Sequence, residues 1–304
     1  MSSAAIQASG FTKQQLQDIF SDYIEKKDGI LEQYKNEFLS KFIVSAKDIR
    51  LHSYSGRVKD PYHLIEKIIR KRNNKNSKYA DMRVDDYYKY ITDLIGCRIL
   101  LVYKRDWKNV HEYLMKVFSN DPAMYVDEFN YVEGYLKAGN SNFKPYIAEK
   151  PVVYIRAGDE ESLYSGVENI EINKRGYYRS AHYIVRYKEY YVEIQVRSLF
   201  EEAWGEVDHD ILYPLHKDDE ELVAFSSLLN RVSGVGDEMS SYFREHTKKN
   251  IPVGENKLLD TPNLLGLSLI AKERLVGPSK EISAEDDNTD TTPSNELDRL
   301  INES

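Results

Sequence analysis

Cysteine is almost missing from this chain: Cys97 stands alone among 304 residues. One thiol closes no intrachain disulfide and builds no cysteine-ligated zinc site, and it suits a reducing, cytoplasmic setting. Long apolar runs are missing too; nothing approaches the ~18 uninterrupted residues of a membrane-crossing helix, so no membrane partner is expected. The opening MSSAAIQASGFTKQQLQ has neither a basic start nor an apolar stretch behind it, so no signal peptide is expected. Tryptophan and phenylalanine are sparse, at 2 and 10, against 24 tyrosines. Tyrosine joins a flat apolar face to a polar tip: most copies will pack, and a few can stack on nucleobases.

A basic excess is also lacking. The formal net charge is −8, but residues 281–304 hold eight acidic side chains against Arg299 alone, which accounts for −7 of it. The remainder is nearly neutral, which argues against a surface that coats nucleic acid and leaves room for a local basic pocket.

Four stretches follow along the chain: an N-terminal helical segment over 1–50, one domain over 51–250, an extension over 251–276, and an acidic tail over 277–304 expected to be disordered. Thr12 is placed to cap a first helix carrying Leu16, Ile19, Phe20, Tyr23 and Ile24, and a second helical run spans Ile30 to Phe42. Asp60-Pro61 opens another helix. Cys97 to Tyr103 is a β-branched, apolar run expected to be a buried strand, followed by a helix from Asp106 to Phe118. Residues 121–170 carry only short strand-like pieces, Val152 to Ile155 the clearest. Tyr183–Tyr187 and Tyr190–Arg197 predict two antiparallel strands joined at Lys188-Glu189, and helices are expected over Phe200–Ile211 and Asp219–Lys248. The alternation predicts an α+β domain with a mixed sheet flanked by helices.

Four groups of residues carry chemistry. Lys67, Arg70 and Lys71 share one helix face just after Arg57 and Lys59. Such a cluster suits a polyphosphate, although most basic helix faces are simply solvated. Asp93 precedes the buried strand, where a carboxylate can hold magnesium or merely cap a turn. In Arg175-Gly176-Tyr177-Tyr178-Arg179-Ser180-Ala181-His182, stacking faces and hydrogen-bonding tips combine as a nucleobase requires; an ordinary tight turn is the plainer account. In Glu193-Ile194-Gln195-Val196-Arg197, alternation puts Glu193, Gln195 and Arg197 on one strand face. Burying three such side chains costs free energy unless they are paired or bind something, which favours a functional face over an exposed one.

In this order, the motifs resemble the synthetase domain of the RelA/SpoT family. Arg57-Val58-Lys59 with Lys67 and Arg70-Lys71 is similar to the family's R-V-K…K…R-(K/R), and Asp93 to Ile99 to its D-(L/I)-x-G-x-R-(I/V). Tyr178 to His182 resembles G-Y-x-S-x-H, Glu193 to Ser198 resembles E-I-Q-(I/V)-R-T, and Trp204 and His209 match the helix motif that follows. The resemblance runs from about Ser53 to Lys248. It implies a nucleotidyltransferase-like fold and a Mg2+-dependent pyrophosphokinase that moves the β,γ-diphosphate of ATP to the 3′-hydroxyl of GDP or GTP, giving (p)ppGpp and AMP. Arg57, Lys59, Lys67, Arg70 and Lys71 would then bind ATP. Asp93 and Glu193 would hold magnesium, Glu193 also taking the hydroxyl proton. Tyr178 would stack on the acceptor base, with Ser180, His182, Gln195 and Arg197 around it.

The pattern departs from the family on the acceptor side. Tyr177 stands where the family has glycine, so Tyr177 competes with Tyr178 as the stacking residue, and the usual basic loop ahead is missing. Two further functions therefore stand beside the first: a toxin-like relative acting on the 3′-CCA end of tRNA, and a nucleotide-binding regulator with a decayed site, which the presence of both Asp93 and Glu193 disfavours. His209-Asp210 spells the dipeptide of metal-dependent hydrolases but lies inside the synthetase-type helix, so synthesis without hydrolysis is expected. The apolar positions of Phe11–Phe42 and Leu222–Phe243 fit either core or a homo-oligomer contact.

Overall fold

The computed structural model describes residues 3–46, 49–73, 78–118, 144–174, 176–211 and 219–249. The extension and acidic tail, and all of 119–143, lie outside them.

The N-terminal segment is helical. After α1 (Ser3–Ser9), α2 (Lys13–Lys26) begins with a capping box: Thr12 Oγ1 accepts from the Gln15 amide, and the Gln15 side chain accepts from the Thr12 amide. The chain runs on without a break through a π-helical turn at Lys27–Leu31, α3 (Glu32–Phe38) and a second π-helical stretch at Leu39–Val44. The two helical runs visible in the sequence are thus one continuous helical segment, widened at two π-helical stretches. Asp60 caps α4 (Pro61–Arg72), accepting from the Tyr62 and His63 amides, with Pro61 in the first turn where its missing N–H costs nothing. Leu16, Ile19, Leu64, Ile65 and Ile68 are fully buried between these helices.

A seven-stranded mixed sheet forms the centre, in the order β1-β2-β7-β6-β4-β5 with β3 also on β6, so the chain is α+β as expected. β1 (Ser53–Val58) is antiparallel to β2 (Ile95–Leu101), which is parallel to β7 (Tyr190–Ser198). β6 (Ser180–Tyr187) is antiparallel to β7, to β3 (Tyr146–Ile147) and to β4 (Val152–Tyr154); β5 (Glu171–Asn173) runs parallel to β4. The short α5 (Tyr87–Tyr90) precedes β2, and α6 (Trp107–Val117) covers one face. Val110 and Leu114 on α6 pack with Tyr183, Val192 and Ile194, while His111 Nδ1 meets the Tyr183 hydroxyl at 3.1 Å. Burial alternates residue by residue along β2, so the opposite sheet face is left for polar side chains.

Two helices close the domain. Ser198 and Glu201 form a reciprocal capping box for α7 (Leu199–Ile211), at 2.9 and 3.0 Å. The long α8 (Glu220–Lys249) packs with its polar side inward: Asn230, Ser233, Asp237 and Ser241 are buried, while Phe225, Leu228, Val232, Val235, Met239 and Tyr242 are exposed. No helix among the described residues is long and apolar enough to cross a membrane.

Asp237 is the costly member of that inner face. Its Oδ2 accepts from Ser198 Oγ at 2.8 Å, but its Oδ1 has no hydrogen-bond partner. Burial, and then the neighbouring Glu201 carboxylate, push its acid group up to about 7. An acid whose folded pKa lies above its ordinary 3.8 contributes most below that value and loses the contribution as pH rises toward 7. Asp237→Asn is therefore expected to raise the Tm at pH 8 by roughly 2–6 °C. The gap should close as the pH falls toward 4, and melts at the two pH values check it. A lower Tm for the variant at pH 8 would contradict this account.

Candidate active site

The polar sheet face is built in rows. Ladder register puts Arg57, Gly96, Glu193 and Ile184 side by side, and the next row is Ser55, Arg98, Gln195, His182 and Val152. Gly96 keeps the first row open: a Cβ there would sit 3.3 Å from Arg57 Cγ. Above these rows lies a cleft of about 610 Å³, lined by Arg57, Asp93, Arg98, Tyr178, Glu193, Gln195 and Arg197 from the sheet side and by Trp204, Glu206, Asp208 and His209 from α7.

Asp93 sits at the mouth of β2 between two lysines, with Lys59 Nζ 2.9 Å from Oδ2 and Lys67 Nζ 2.8 Å from Oδ1. Burial opposes its ionisation, yet Lys67 and Lys59 outweigh burial and hold the carboxyl below its ordinary value. Glu193 behaves alike. Burial raises it and the Asp93 charge adds to that, but His182, with its Nδ1 3.4 Å away, and Gln195, donating at 2.7 Å, bring the net shift down. Both carboxylates are thus ionised at neutral pH although their side chains are only 14% and 17% exposed.

The other wall is a chain of hydrogen bonds whose direction is fixed at one end. Arg197 only donates, so its 2.5 Å bond to the Tyr178 hydroxyl makes that oxygen an acceptor. The hydroxyl proton then points to His182 Nε2, 2.9 Å away, which places the histidine proton on Nδ1, facing Glu193. Arg197 also donates to Gln195 Oε1 at 3.0 Å and to Glu202 at 3.0 Å, and its guanidinium lies 5.0 Å from the Tyr178 ring. Ser180 is buried behind Arg197, 3.4 Å from its Nε.

The structure therefore gathers Arg57, Asp93, Tyr178, Glu193, Gln195 and Arg197 around one cleft, with His182, Lys59 and Lys67 touching its members. It does not bring the whole basic set there. Arg57 stands on β1 rather than on a helix; Arg70 is exposed on α4, and Lys71, set 5.3 Å over the Tyr79 ring, is outside the lining. Burial, then Lys67 and Arg70, hold the Lys71 ammonium below its ordinary value. Tyr177 stays outside as well. Gly176 adopts φ +73°, turning the chain so that Tyr178 faces the cleft while Tyr177 lies 45% exposed, its ring 5.4 Å from Arg156.

The sequence profile of the family described as "Region found in RelA / SpoT proteins" matches residues 56–218. The chain belongs to the RelA/SpoT family. Among solved structures it is similar to small alarmone synthetase 1 from Bacillus subtilis, at 17% identity and a TM-score of 0.49, covering 76% of this chain and 99% of that one. It is also similar to the same synthetase bound to its product pppGpp, at 17% identity and a TM-score of 0.47, covering 74% and 96%. A GTP pyrophosphokinase family protein from Streptococcus pneumoniae follows at 16% identity and a TM-score of 0.43, covering 79% and 97%. No curated protein matches the chain.

In this RelA/SpoT domain two cleft carboxylates, Asp93 and Glu193, could hold a metal ion. No group of three or more His, Cys, Asp or Glu side chains suited to a metal occurs among the described residues. Asp93 and Glu193 fit magnesium nonetheless, because that ion takes one or two carboxylates and completes its shell with water and phosphate oxygens. The Asp93 Oδ1 atom is buried and meets the Lys67 ammonium at 2.8 Å without a well-directed hydrogen bond, a cation position that a metal ion could take over. Sequence reasoning gave no role to Glu202 and Glu206, which both hold Arg98; their four-residue spacing on α7 was the available signal.

Proposed function

We propose that this RelA/SpoT domain transfers the β,γ-diphosphate of ATP to the 3′-hydroxyl of GDP or GTP, making (p)ppGpp and releasing AMP. The observation that carries the reading is the pairing of two ionised, buried carboxylates, Asp93 and Glu193, with lysines on one side and the Tyr178–His182–Arg197 wall on the other. Arg57 and the Lys59–Lys67 pair take the ATP phosphates, with Arg70 and Lys71 of α4 at the outer edge. Lys59 and Lys67, now on Asp93, exchange that partner for phosphate oxygens when the carboxylate takes a cation. Asp93 and Glu193 would hold the magnesium, which would neutralise charge on the transferred group. Tyr178 offers its ring to the acceptor base, and Gln195, Arg197, His182 and Ser180 fix that wall. Glu193 accepts the 3′-hydroxyl proton as the oxygen bonds to the β-phosphorus. The bond from the β-phosphorus to the α,β-bridging oxygen breaks, and AMP leaves with that oxygen.

The cleft rim favours a free nucleotide over tRNA, since Glu206 and Asp208 line the α7 side and would repel an acceptor stem. The test offers γ-labelled ATP and magnesium with GDP, GTP or bulk tRNA. Label on GDP or GTP supports the proposal. Label on tRNA alone, or on nothing while ATP still binds, overturns it.

We also infer that two copies associate through α8. Phe225, Leu228, Val232, Val235, Met239 and Tyr242 alternate at three- and four-residue spacing, the seam of a paired helix, and all are more than half exposed. Light scattering is expected to show a dimer or larger species, reduced to a monomer by Val232→Glu. A monomeric wild type would contradict it.

A further inference from the structure

The buried side of α8 holds the loop that carries Tyr178, although α8 lies beyond the residues matched by the family profile, 56–218. Asn230, fully buried, uses both ends of its amide there. Its Oδ1 accepts from Arg179 Nη1 at 2.6 Å, and its Nδ2 donates to the Tyr177 carbonyl at 2.8 Å. Its backbone carbonyl accepts from the same Arg179 nitrogen at 2.8 Å. The two residues flanking Tyr178 are therefore fastened to one side chain.

We propose that Asn230 is a positioning residue for acceptor binding: it sets the loop that aims Tyr178 into the cleft. This rests on the reading of Tyr178 as the acceptor-stacking residue.

Three features support it. Arg179 does not reach the cleft; it is buried against α8, its Nε and Nη2 donating to Asp159 at 2.6 and 2.7 Å, so it anchors the loop rather than touching a nucleotide. One turn along α8, Gly234 leaves the space the guanidinium occupies, since a Cβ there would lie 2.8 Å from Arg179 Nη2. Finally, the amide orientation is not interchangeable: Arg179 can only donate and the Tyr177 carbonyl can only accept, so one oxygen and one nitrogen are both required. Aspartate satisfies the first partner and repels the second.

Because Tyr178 meets Glu193 only indirectly, through His182 on one route and Arg197 with Gln195 on the other, loosening the loop should weaken acceptor binding and leave donor binding alone. Asn230→Ala in the full chain is expected to raise the KM for GDP or GTP about tenfold, the effect of losing buried hydrogen bonds. The KM for ATP and kcat should stay within about twofold. Asn230→Asp should fall between it and the wild type. Gly234→Ala gives a second route: alanine favours the helix, so a raised acceptor KM there cannot come from a weakened α8. Hydrogen exchange at the amides of Tyr177 to Ser180 reads the bracing without any reaction, and should speed up in Asn230→Ala while β2 and α4 are unchanged.

An active wild type with unchanged acceptor KM in both the alanine variants overturns the inference. So does equal loss of ATP and acceptor binding, the mark of a merely structural role. If the wild type transfers to neither nucleotide, the functional reading has failed instead. The exchange measurement then decides the bracing alone: faster exchange in the variant supports it, and no change overturns it.

Discussion

Glu193→Gln should lower transfer to GDP or GTP by about 10³-fold while ATP still binds with nearly wild-type affinity. A positioned base is worth about 10²–10⁴ in rate, or ~3–5 kcal/mol at 1.36 kcal/mol per tenfold. Glutamine keeps the size but has one acceptor oxygen for its two donors, Gln195 and His182; it cannot take a proton and carries no charge for a cation. Its neutral amide also removes the repulsion that Glu193 exerts on Asp93, so the fold should not suffer. The wild-type carboxyl lies below its ordinary value, which has a consequence for pH. Activity should be lost only as the pH falls through the depressed pKa, below about 4.5, and should be flat on the acid side of neutrality. Single-turnover rates with and without saturating ATP, together with ATP titrations, check both statements. A variant losing less than tenfold would remove Glu193 from the chemistry.

Asp93→Asn should give a loss of similar size by another route. Asp93 is the one carboxylate facing Lys59 and Lys67 together, each within 3 Å. With the charge removed, two ammonium groups remain close to each other with a neutral amide between them. Magnesium then has only Glu193 to bind, so half-saturation should move to higher magnesium by more than tenfold as turnover falls about 10²–10³-fold, several kcal/mol of lost charge stabilisation. Glu193→Gln should shift the magnesium requirement as well, but excess magnesium should not restore its turnover because the proton acceptor is gone, and titrating the metal against both variants separates the two roles. The uncompensated lysines should also lower the Tm by several degrees, whereas Glu193→Gln leaves it unchanged.

The parts of this molecule that were legible in the sequence are those where one residue pattern has one physical cause. β7 follows from the alternation of Val192 to Arg197, β6 from a β-branched and aromatic run, and the cap at Thr12 and the Asp60-Pro61 start from hydrogen-bonding side chains that serve their own helix. β1 was not legible: Ser-Tyr-Ser-Gly-Arg-Val has little apolar content, and its extended form is imposed by pairing with β2. Gly56 leaves room there for Leu39, whose Cδ1 would lie 2.6 Å from an added Cβ and would have to move, a contact between residues far apart in sequence. The site is similar. Alternation placed Glu193, Gln195 and Arg197 on one face, but the approach of Asp93 depends on the parallel register of β2 with β7, which no local pattern encodes. In α8 the periodicity was visible and its direction was not. Apolar residues ordinarily turn inward, yet here the inward side is claimed by partners that need hydrogen bonds: Arg179, the Tyr177 carbonyl and Ser198. The same side hid Asn230 and Asp159, since neither belongs to a motif.

The solitary thiol gives the molecule a clock. Cys97 sits in β2, in the floor under the cleft, 2% exposed, and burial pushes its pKa up to about 12. A thiol so protonated and so enclosed is inert toward alkylating and disulfide reagents while the sheet is closed. Every labelling event therefore records a separation of β2 from a neighbour, in a chain that needs no engineered probe. Nucleotide bound across β1, β2 and β7 would slow that clock in proportion to its occupancy, so ligands can be ranked by modification rate alone, whether or not any of them reacts.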